Sequence, residues 1–408
     1  MARKPKRDLT IEEQLARGPM DLPFLMLTVM LLGVGLIMML SASYASAYYD
    51  DKVSSPYYYF IRQLVFGLIG LAVLYGVSKF NYQRLRWMSL IFLIAAFVLL
   101  ALVAVPGIGV VHNQARRWMR LLIFAGPEFQ PSEIAKLAVV LYFASRLSKR
   151  DSEKKKKQKS WNRRSLLGRF LGWLDRIGLL ELIPYALILV AIAGLMYLEP
   201  HMSGTILIFV AGAAVLFAAG IKLHWFLGGG AFLGAGLWFL ITNTDYMTSR
   251  IALWQNPWLD PSDKGFQAIQ SLLAIGSGGL LGLGLGNSRQ KFLYLPEPEN
   301  DFVFAIVCEE LGYIGAALIL ILFALLIIRG YWLAIHARDR FGALVIVGII
   351  TLFAFQVFFN IGVVTGLLPV TGISLPFFSY GGTALVIQMA EMGIVLSISR
   401  QIPAPRAG

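Results

Sequence analysis

Long apolar stretches alternate with short polar or charged breaks along most of the chain. An α-helix needs about 20 mainly apolar residues to cross the hydrocarbon core of a membrane. The pattern therefore predicts an all-α integral membrane protein with ten transmembrane helices. The predicted spans are Leu22–Ser43, Arg62–Val77, Met88–Val105, Ser132–Ser148, Leu182–Leu198, Thr205–Ala219, Phe226–Thr242, Phe302–Arg329, Phe341–Val364 and Thr383–Ser399.

The composition agrees with a membrane protein and excludes a water-soluble one. Hydrophobic residues make up 57% of the 408 residues and charged residues only 14%, against about 25% charged in a typical soluble domain. The single cysteine, Cys308, excludes an intrachain disulfide and any site with several cysteine ligands.

Basic residues indicate the orientation of the spans, because Lys and Arg are enriched in cytoplasmic loops. They cluster in the arm at residues 1–21, in two short turns and in the loop at 146–180. The ten spans put all of these on one side, so both termini are predicted to be cytoplasmic, with a membrane domain at 22–400 and a tail at 401–408. The run Lys154–Lys157 is then a topology determinant, or alternatively a contact for anionic lipids. The net charge of +13 thus has a topological explanation that involves no nucleic acid.

Two outer segments break this charge rule: Pro106–Pro131 and the large fourth extracytoplasmic loop at 243–301. Both keep cations on the side where they are disfavoured, which indicates an anionic ligand. These cations are Arg116, Arg117, Arg120, Arg250, Lys264, Arg289 and Lys291. Trp118, beside the arginine pair, is predicted to anchor that segment at the membrane interface.

The usual soluble-enzyme motifs are missing from these segments. The four histidines have no helical zinc-pair spacing. The glycine cluster between Gly276 and Gly286 lacks the strand-and-helix context of a dinucleotide site. It indicates a tight or re-entrant backbone at the membrane face instead.

Carboxylates at the outer ends of the spans are more informative. Asp301 lies where a polar run meets the eighth span, so it is either a helix N-cap or a reactive group. Glu309 and Glu310 lie deeper in that helix, where ionisable groups are expensive. Glu133 and Lys136 form an i,i+3 pair that either holds helices together or presents the lysine to a phosphate. Glu391 in the tenth span is interpreted as structural.

Taken together, these motifs resemble the SEDS family of shape, elongation, division and sporulation proteins, which includes FtsW, RodA and SpoVE. The matching stretches are Ala115–Trp118, Phe129–Lys136, Gly282–Lys291, Tyr294–Glu297, Asn300–Phe304, Glu309–Gly312 and Leu368–Gly382. Thr371 and the Ile-Ser-Leu-Pro sequence after it resemble the FtsW and SpoVE members more than RodA. The chain departs from many relatives at Glu299-Asn300, where they have His-Thr.

The resemblance implies a ten-helix peptidoglycan glycosyltransferase that polymerises lipid II during cell division, cell-shape maintenance or sporulation. It implies Asp301 as the essential acidic residue. Pyrophosphate leaves already anionic, so the reaction needs charge neutralisation and one general base rather than a general acid. Candidate substrate-binding residues are Arg116, Arg117, Trp118, Glu133, Lys136, Arg289, Lys291, Glu297 and Glu309. The loop that carries Lys291 is expected to be wet.

The resemblance also implies partners: lipid II, a class B penicillin-binding protein that crosslinks the product, and other division or sporulation membrane proteins. The stripe of Leu318, Leu322 and Leu326 on the eighth span is predicted to contact the transpeptidase. No cofactor is required by the residues, and assistance by a divalent cation is left open. Two alternatives to an enzyme also remain: a lipid II flippase without chemistry, and a scaffold that only recruits a transpeptidase.

Overall fold

The computed structural model describes residues 18–51, 53, 55–112, 115–120, 128–149, 178–199, 202–243, 245–263 and 265–402. Several features of the sequence analysis lie outside these residues: Lys154–Lys157, Lys264, and most of the arm at 1–21, of the loop at 146–180 and of the tail at 401–408. The described helices are α1 Leu22–Tyr49, α2 Tyr58–Lys79, α3 Tyr82–Ala104, α4 Pro131–Leu147, α5 Leu179–Leu198, α6 Met202–Ala218, α7 Leu223–Asn243, α8 Asp245–Gln255, α9 Phe266–Gly278, α10 Val303–His336, α11 Arg340–Val364 and α12 Gly382–Ser399.

Every predicted span overlaps a helix, and the α-helical membrane fold is confirmed. Within the described residues, seven helices are long and apolar enough to cross a membrane, and α6 is a shorter apolar helix. The count of ten spans remains a prediction. Large side chains such as Ile91, Val190 and Ile328 are exposed on the outside of the bundle, where lipid replaces water as the solvent.

The helices at the centre of the bundle are α11 and α12, in which most side chains are buried. Helix α12 packs against α2, and small residues allow the two backbones to approach closely. A Cβ atom at Gly393 would lie only 2.8 Å from the carbonyl oxygen of Leu74 in α2.

A small antiparallel sheet, absent from the sequence prediction, covers the end of α3 that is predicted to be extracytoplasmic and is called the outer end below. Its strands are β1 Gly109–His112, β2 Ala115–Arg120 and β3 Glu128–Phe129, in the order β1-β2-β3. Met119 pairs with Phe129, and both pack with Val103 of α3 in a separate apolar cluster. The charges along β2 conceal the alternation of a strand, which is why the hydropathy pattern predicted only a loop.

Helix α10 is broken at Gly312, whose backbone has φ +67° and ψ −174°. The loop after α9 supplies the hydrogen bonds that the break removes. Leu283 and Gly284 donate to the carbonyls of Glu309 and Glu310, while Tyr313 and Ile314 donate to residues at the start of that loop. A Cβ at Gly312 would lie 2.3 Å from the amide nitrogen of Gly282, so glycine is required there. The break forms the tight backbone predicted from the glycine cluster.

Candidate functional site

Asp301 lies in the turn that leads into α10, at the outer end of the bundle, and its side chain is half-buried. The N-cap of α10 is Phe302, and no side chain caps the first turn. The alternative that Asp301 is merely a helix cap is therefore wrong. Its carboxylate lies against Gly372, where an added Cβ would be 3.3 Å from Oδ2. Gly372 has φ +69°, a conformation that only glycine adopts without strain.

Asn360, near the outer end of α11, holds the backbone of Asp301. Its Nδ2 donates to the carbonyl oxygen of Asp301 at 2.7 Å and to that of Ile373 at 2.8 Å. This side chain is 1% exposed. It was missed by sequence reasoning, because a single polar residue in an apolar span signals a role only through the atoms it meets.

Lys136 and Glu133 form a close ion pair, with 2.6 Å between Nζ and Oε2, and the lysine is only 2% exposed. The pair lines a polar cavity of about 40 Å³. The other lining residues are Gln130, Ser203, Gly204, Leu207, Gln356, Gly372, Ile373 and Ser374. Gly372 thus separates the cavity from Asp301, and the predicted lysine and aspartate lie on opposite sides of one short segment. A cavity of this size holds a few waters but no sugar.

Arg117 connects strand β2 to this region. The register of β1 and β2 shifts at this residue: Val110 pairs with Trp118 and Val111 with Arg116, so Arg117 is the extra residue of a bulge. Arg117 lies within electrostatic range of Asp301 and of Glu199, the residue that follows α5. Arg116 and Trp118 on either side of it are half-buried, as Arg117 is.

Glu199 is a second acidic residue that sequence reasoning missed. Its side chain is completely buried, and neither carboxylate oxygen has a hydrogen-bond partner among the described residues. Burial raises the pKa of Glu199 to about 8, and the positive charge of Arg117 opposes that rise. Glu199 therefore changes between its protonated and its ionised form as the pH passes through a range near neutrality.

The pKa of Asp301 is also raised, to about 6, mainly by burial and then by the negative charge of Glu297, while Arg117 lowers it. A base works best when its pKa lies near the operating pH. Asp301 is thus ionised at neutral pH and holds a proton more readily than an ordinary aspartate.

Lys291 and Glu309 occupy a buried network below the loop rather than an open binding surface. The expectation that the Lys291 loop is wet is wrong for this side chain, which is 3% exposed. Lys291 Nζ lies 3.0 Å from Glu310 Oε1, and it also donates to Ser41 and to the carbonyl of Gly286.

Glu309 is completely buried and accepts hydrogen bonds from the loop. The Ser288 hydroxyl donates to it at 2.5 Å and the backbone amide of Arg289 at 3.0 Å. These contacts anchor the loop to α10. The side chains of Arg289 and Glu297 are exposed instead, so among the predicted residues of this loop they are the ones available to a ligand at the surface.

The outer site thus combines the carboxylate of Asp301, whose pKa is raised, with cations on two sides. Arg117 approaches from the sheet, and Lys136 lies behind Gly372. Glu391 of α12 is buried within electrostatic range of Lys136 and Glu133, which adds a third charge to that pair. Such an arrangement can take a proton from a hydroxyl and stabilise a departing anion at the membrane surface.

Comparison with known proteins relates the whole chain to one group. A family model described as "Cell cycle protein", which covers FtsW, RodA and SpoVE, matches residues 22–403. Stage V sporulation protein E of Bacillus subtilis is 40% identical over 93% of this chain and 97% of its own length. A probable peptidoglycan glycosyltransferase FtsW of Geobacter metallireducens is 38% identical over 94% of this chain and 95% of its own.

Solved structures share the fold. One, described as structural coordination of polymerization and crosslinking by a peptidoglycan synthase complex, aligns with a TM-score of 0.71 and 28% identity. That alignment covers 93% of this chain and 98% of the other. The rod shape determining protein RodA of Thermus thermophilus aligns with a TM-score of 0.63 and 26% identity, over 95% and 98% of the two chains. With its apolar helices and a family match over nearly its full length, the chain belongs to the FtsW, RodA and SpoVE family of multi-pass proteins in the bacterial cell membrane.

Proposed function

We propose that this chain is a peptidoglycan glycosyltransferase that polymerises lipid II at the outer membrane surface, with Asp301 as general base. The observation that carries the proposal is the position of Asp301. It does not cap α10, it lies near Arg117, and Gly372 separates it from the cavity that Lys136 lines; its pKa is also raised. Relatives named as peptidoglycan glycosyltransferases support the reaction class.

The reaction follows from this arrangement. A hydroxyl of the acceptor sugar attacks the anomeric carbon of the donor sugar, and Asp301 takes the hydroxyl proton. The bond from that carbon to the pyrophosphate oxygen breaks with inversion, and the polyprenyl pyrophosphate leaves as an anion. Arg117 and the exposed Arg289 are the cations proposed to contact it, while Lys136, buried in its pair with Glu133, is proposed to act only through its charge at a distance. The polyprenyl tail stays in the bilayer, which explains a site at the membrane surface.

Polymerisation of purified lipid II is the direct test. The purified protein, mixed with its transpeptidase partner whose crosslinking is blocked, is expected to produce glycan chains resolved on a gel. If the parent protein produces no polymer but moves lipid II between the leaflets of vesicles, the flippase alternative replaces the enzyme.

The pH dependence of polymerisation is expected to follow the ionisation of Asp301. Because burial raises its pKa to about 6, the active carboxylate is lost as the pH falls through 6. The rate should then drop about tenfold for each further pH unit, while the rate above pH 7 stays flat with respect to this group.

The measurement is the initial rate from pH 5 to 8 at saturating lipid II. Glu199 also titrates in this range, so the profile is repeated with Glu199→Gln, which should keep the acidic limb. A rate that is equal at pH 5 and pH 7 in both proteins would remove Asp301 as the titrating base.

We propose a class B penicillin-binding protein as the partner, supported by the likeness to a chain from a peptidoglycan synthase complex. The predicted leucine stripe is only partly a surface: Leu318 is 58% exposed, but Leu326 is 0% exposed and belongs to the core. An apolar groove of about 300 Å³ between α10 and α11 is a better docking surface. Leu320, Phe323, Val357 and Phe358 contribute to it.

A charge in this groove is expected to prevent co-purification of the transpeptidase. Phe358→Glu removes an aromatic ring on which a partner helix would pack and leaves a carboxyl group without a hydrogen-bond partner in the interface. The control is Ile91→Glu on α3, which is also exposed on the outside of the bundle and away from the groove. Equal co-purification of both variants would place the partner elsewhere.

A further inference from the structure

Asn360 joins two separate walls of the outer site through one buried amide. One wall is the turn that carries Asp301, and the other is the segment Gly372–Ser374, which lines the polar cavity beside Lys136. The amide bonds to a backbone carbonyl in each wall, at 2.7 and 2.8 Å. The side chain belongs to α11, a well-buried helix of the bundle. A rigid membrane helix therefore sets the distance between the walls.

The orientation of this amide is fixed by its partners. Both acceptors are carbonyl oxygens, which cannot donate, so the NH₂ group must face them. The Oδ1 atom then points away from both carbonyls, and within the part of the chain that the structure describes it has no hydrogen-bond partner despite its burial. No side chain that lacks two donors on one atom can reproduce this bridge at the same length.

The two walls also touch directly. The carboxylate of Asp301 lies so close to Gly372 that an added Cβ would be 3.3 Å from Oδ2. Movement of the Gly372 segment would therefore change the position of the carboxylate relative to the cations. Misplacement of a reacting group by about 1 Å costs on the order of 100-fold in rate.

We propose that Asn360 is a positioning residue for glycosyl transfer, which holds Asp301 at its working distance from the wall that faces Lys136. The inference rests on the proposed function for its effect on rate. The hydrogen-bond geometry is independent of that function, so the test has one arm that needs no activity.

The first arm compares two variants with a control on the same helix. Asn360→Asp keeps the shape but replaces the shared donor Nδ2 with an oxygen that faces both carbonyls, so turnover at saturating lipid II should fall about 100-fold. Asn360→Ala removes the donors without repulsion, and water can replace part of the bridge, so a loss of about tenfold is expected. The control, Thr351→Val, removes the hydrogen bond of α11 to Tyr331 far from Asp301 and should retain the parent turnover. Lipid II binding should stay within about threefold in all of them.

The second arm measures hydrogen–deuterium exchange of the purified proteins. Loss of the bridge should speed exchange in peptides that cover residues 299–304 and 371–375, and Thr351→Val should leave both unchanged. If exchange is faster in the Asn360 variants but the parent protein makes no polymer, the proposed function is wrong and the structural role of Asn360 still stands. Unchanged exchange together with parent turnover in folded Asn360→Ala overturns the inference. So does a loss of turnover that merely follows melting temperature across all three variants.

Discussion

Asp301→Asn is expected to lower lipid II polymerisation at least about 100-fold, while the protein folds normally. Asparagine has nearly the shape of aspartate, so its contact with Gly372 is retained, but an amide cannot take the proton of the acceptor hydroxyl. Asp301 caps no helix, so the loss of charge removes no helix-capping bond. The assay is glycan length and amount from purified lipid II, with the partner present and its crosslinking blocked.

The controls for this variant separate chemistry from folding and binding. Its melting temperature in detergent and its affinity for lipid II should both stay near those of the parent. Removal of the negative charge of Asp301, whose pKa is raised, gives no reason for lower stability at neutral pH, since the ionised form is the one that partial burial disfavours. An Asp301→Asn protein that binds lipid II and still makes long glycan would exclude Asp301 from the mechanism.

Lys291→Met is expected to destabilise the protein by about 3–5 kcal/mol, because it leaves Glu310 as an uncompensated buried charge. The two side chains are 3% and 0% exposed, and Ser41 is the other side-chain donor to that carboxylate. This variant is therefore unsuitable for testing phosphate binding, although the charge rule pointed to Lys291 as strongly as to Arg289. Thermal unfolding in detergent measures the effect.

Two matched variants check this explanation. Arg289→Met removes an exposed cation two residues earlier in the same loop and should leave the melting temperature unchanged. Lys291→Met combined with Glu310→Leu removes both buried charges and should recover most of the lost stability, since an apolar pair of similar size replaces the ion pair. A double variant no more stable than Lys291→Met would mean that the network is needed for its loop contacts rather than for charge balance.

The sequence by itself determined the features that depend on local composition. Each apolar stretch of about membrane length predicted a helix, and a helix overlaps each of them in the structure. The reason is that backbone groups in lipid must form their hydrogen bonds within the helix. The glycine cluster predicted a tight backbone, and Gly282 and Gly312 meet there. The charge rule drew attention to both outer segments, and the motif around Asp301 pointed to the carboxylate that lies beside Arg117.

Only the tertiary structure decided which of those charges face a ligand. Lys291 and Arg289 are two residues apart in one loop, yet the first is buried against Glu310 and the second is exposed. Asn360 and Glu199 also needed the tertiary structure. Asn360 contacts Asp301 and Glu199 lies near Arg117, and the two members of each pair are distant in sequence. Hydropathy records the cost of placing a residue in lipid, whereas a charge pair or a hydrogen bond depends on distances between helices. Those distances are set by packing of the bundle and by the break at Gly312, and no periodicity in the chain encodes them.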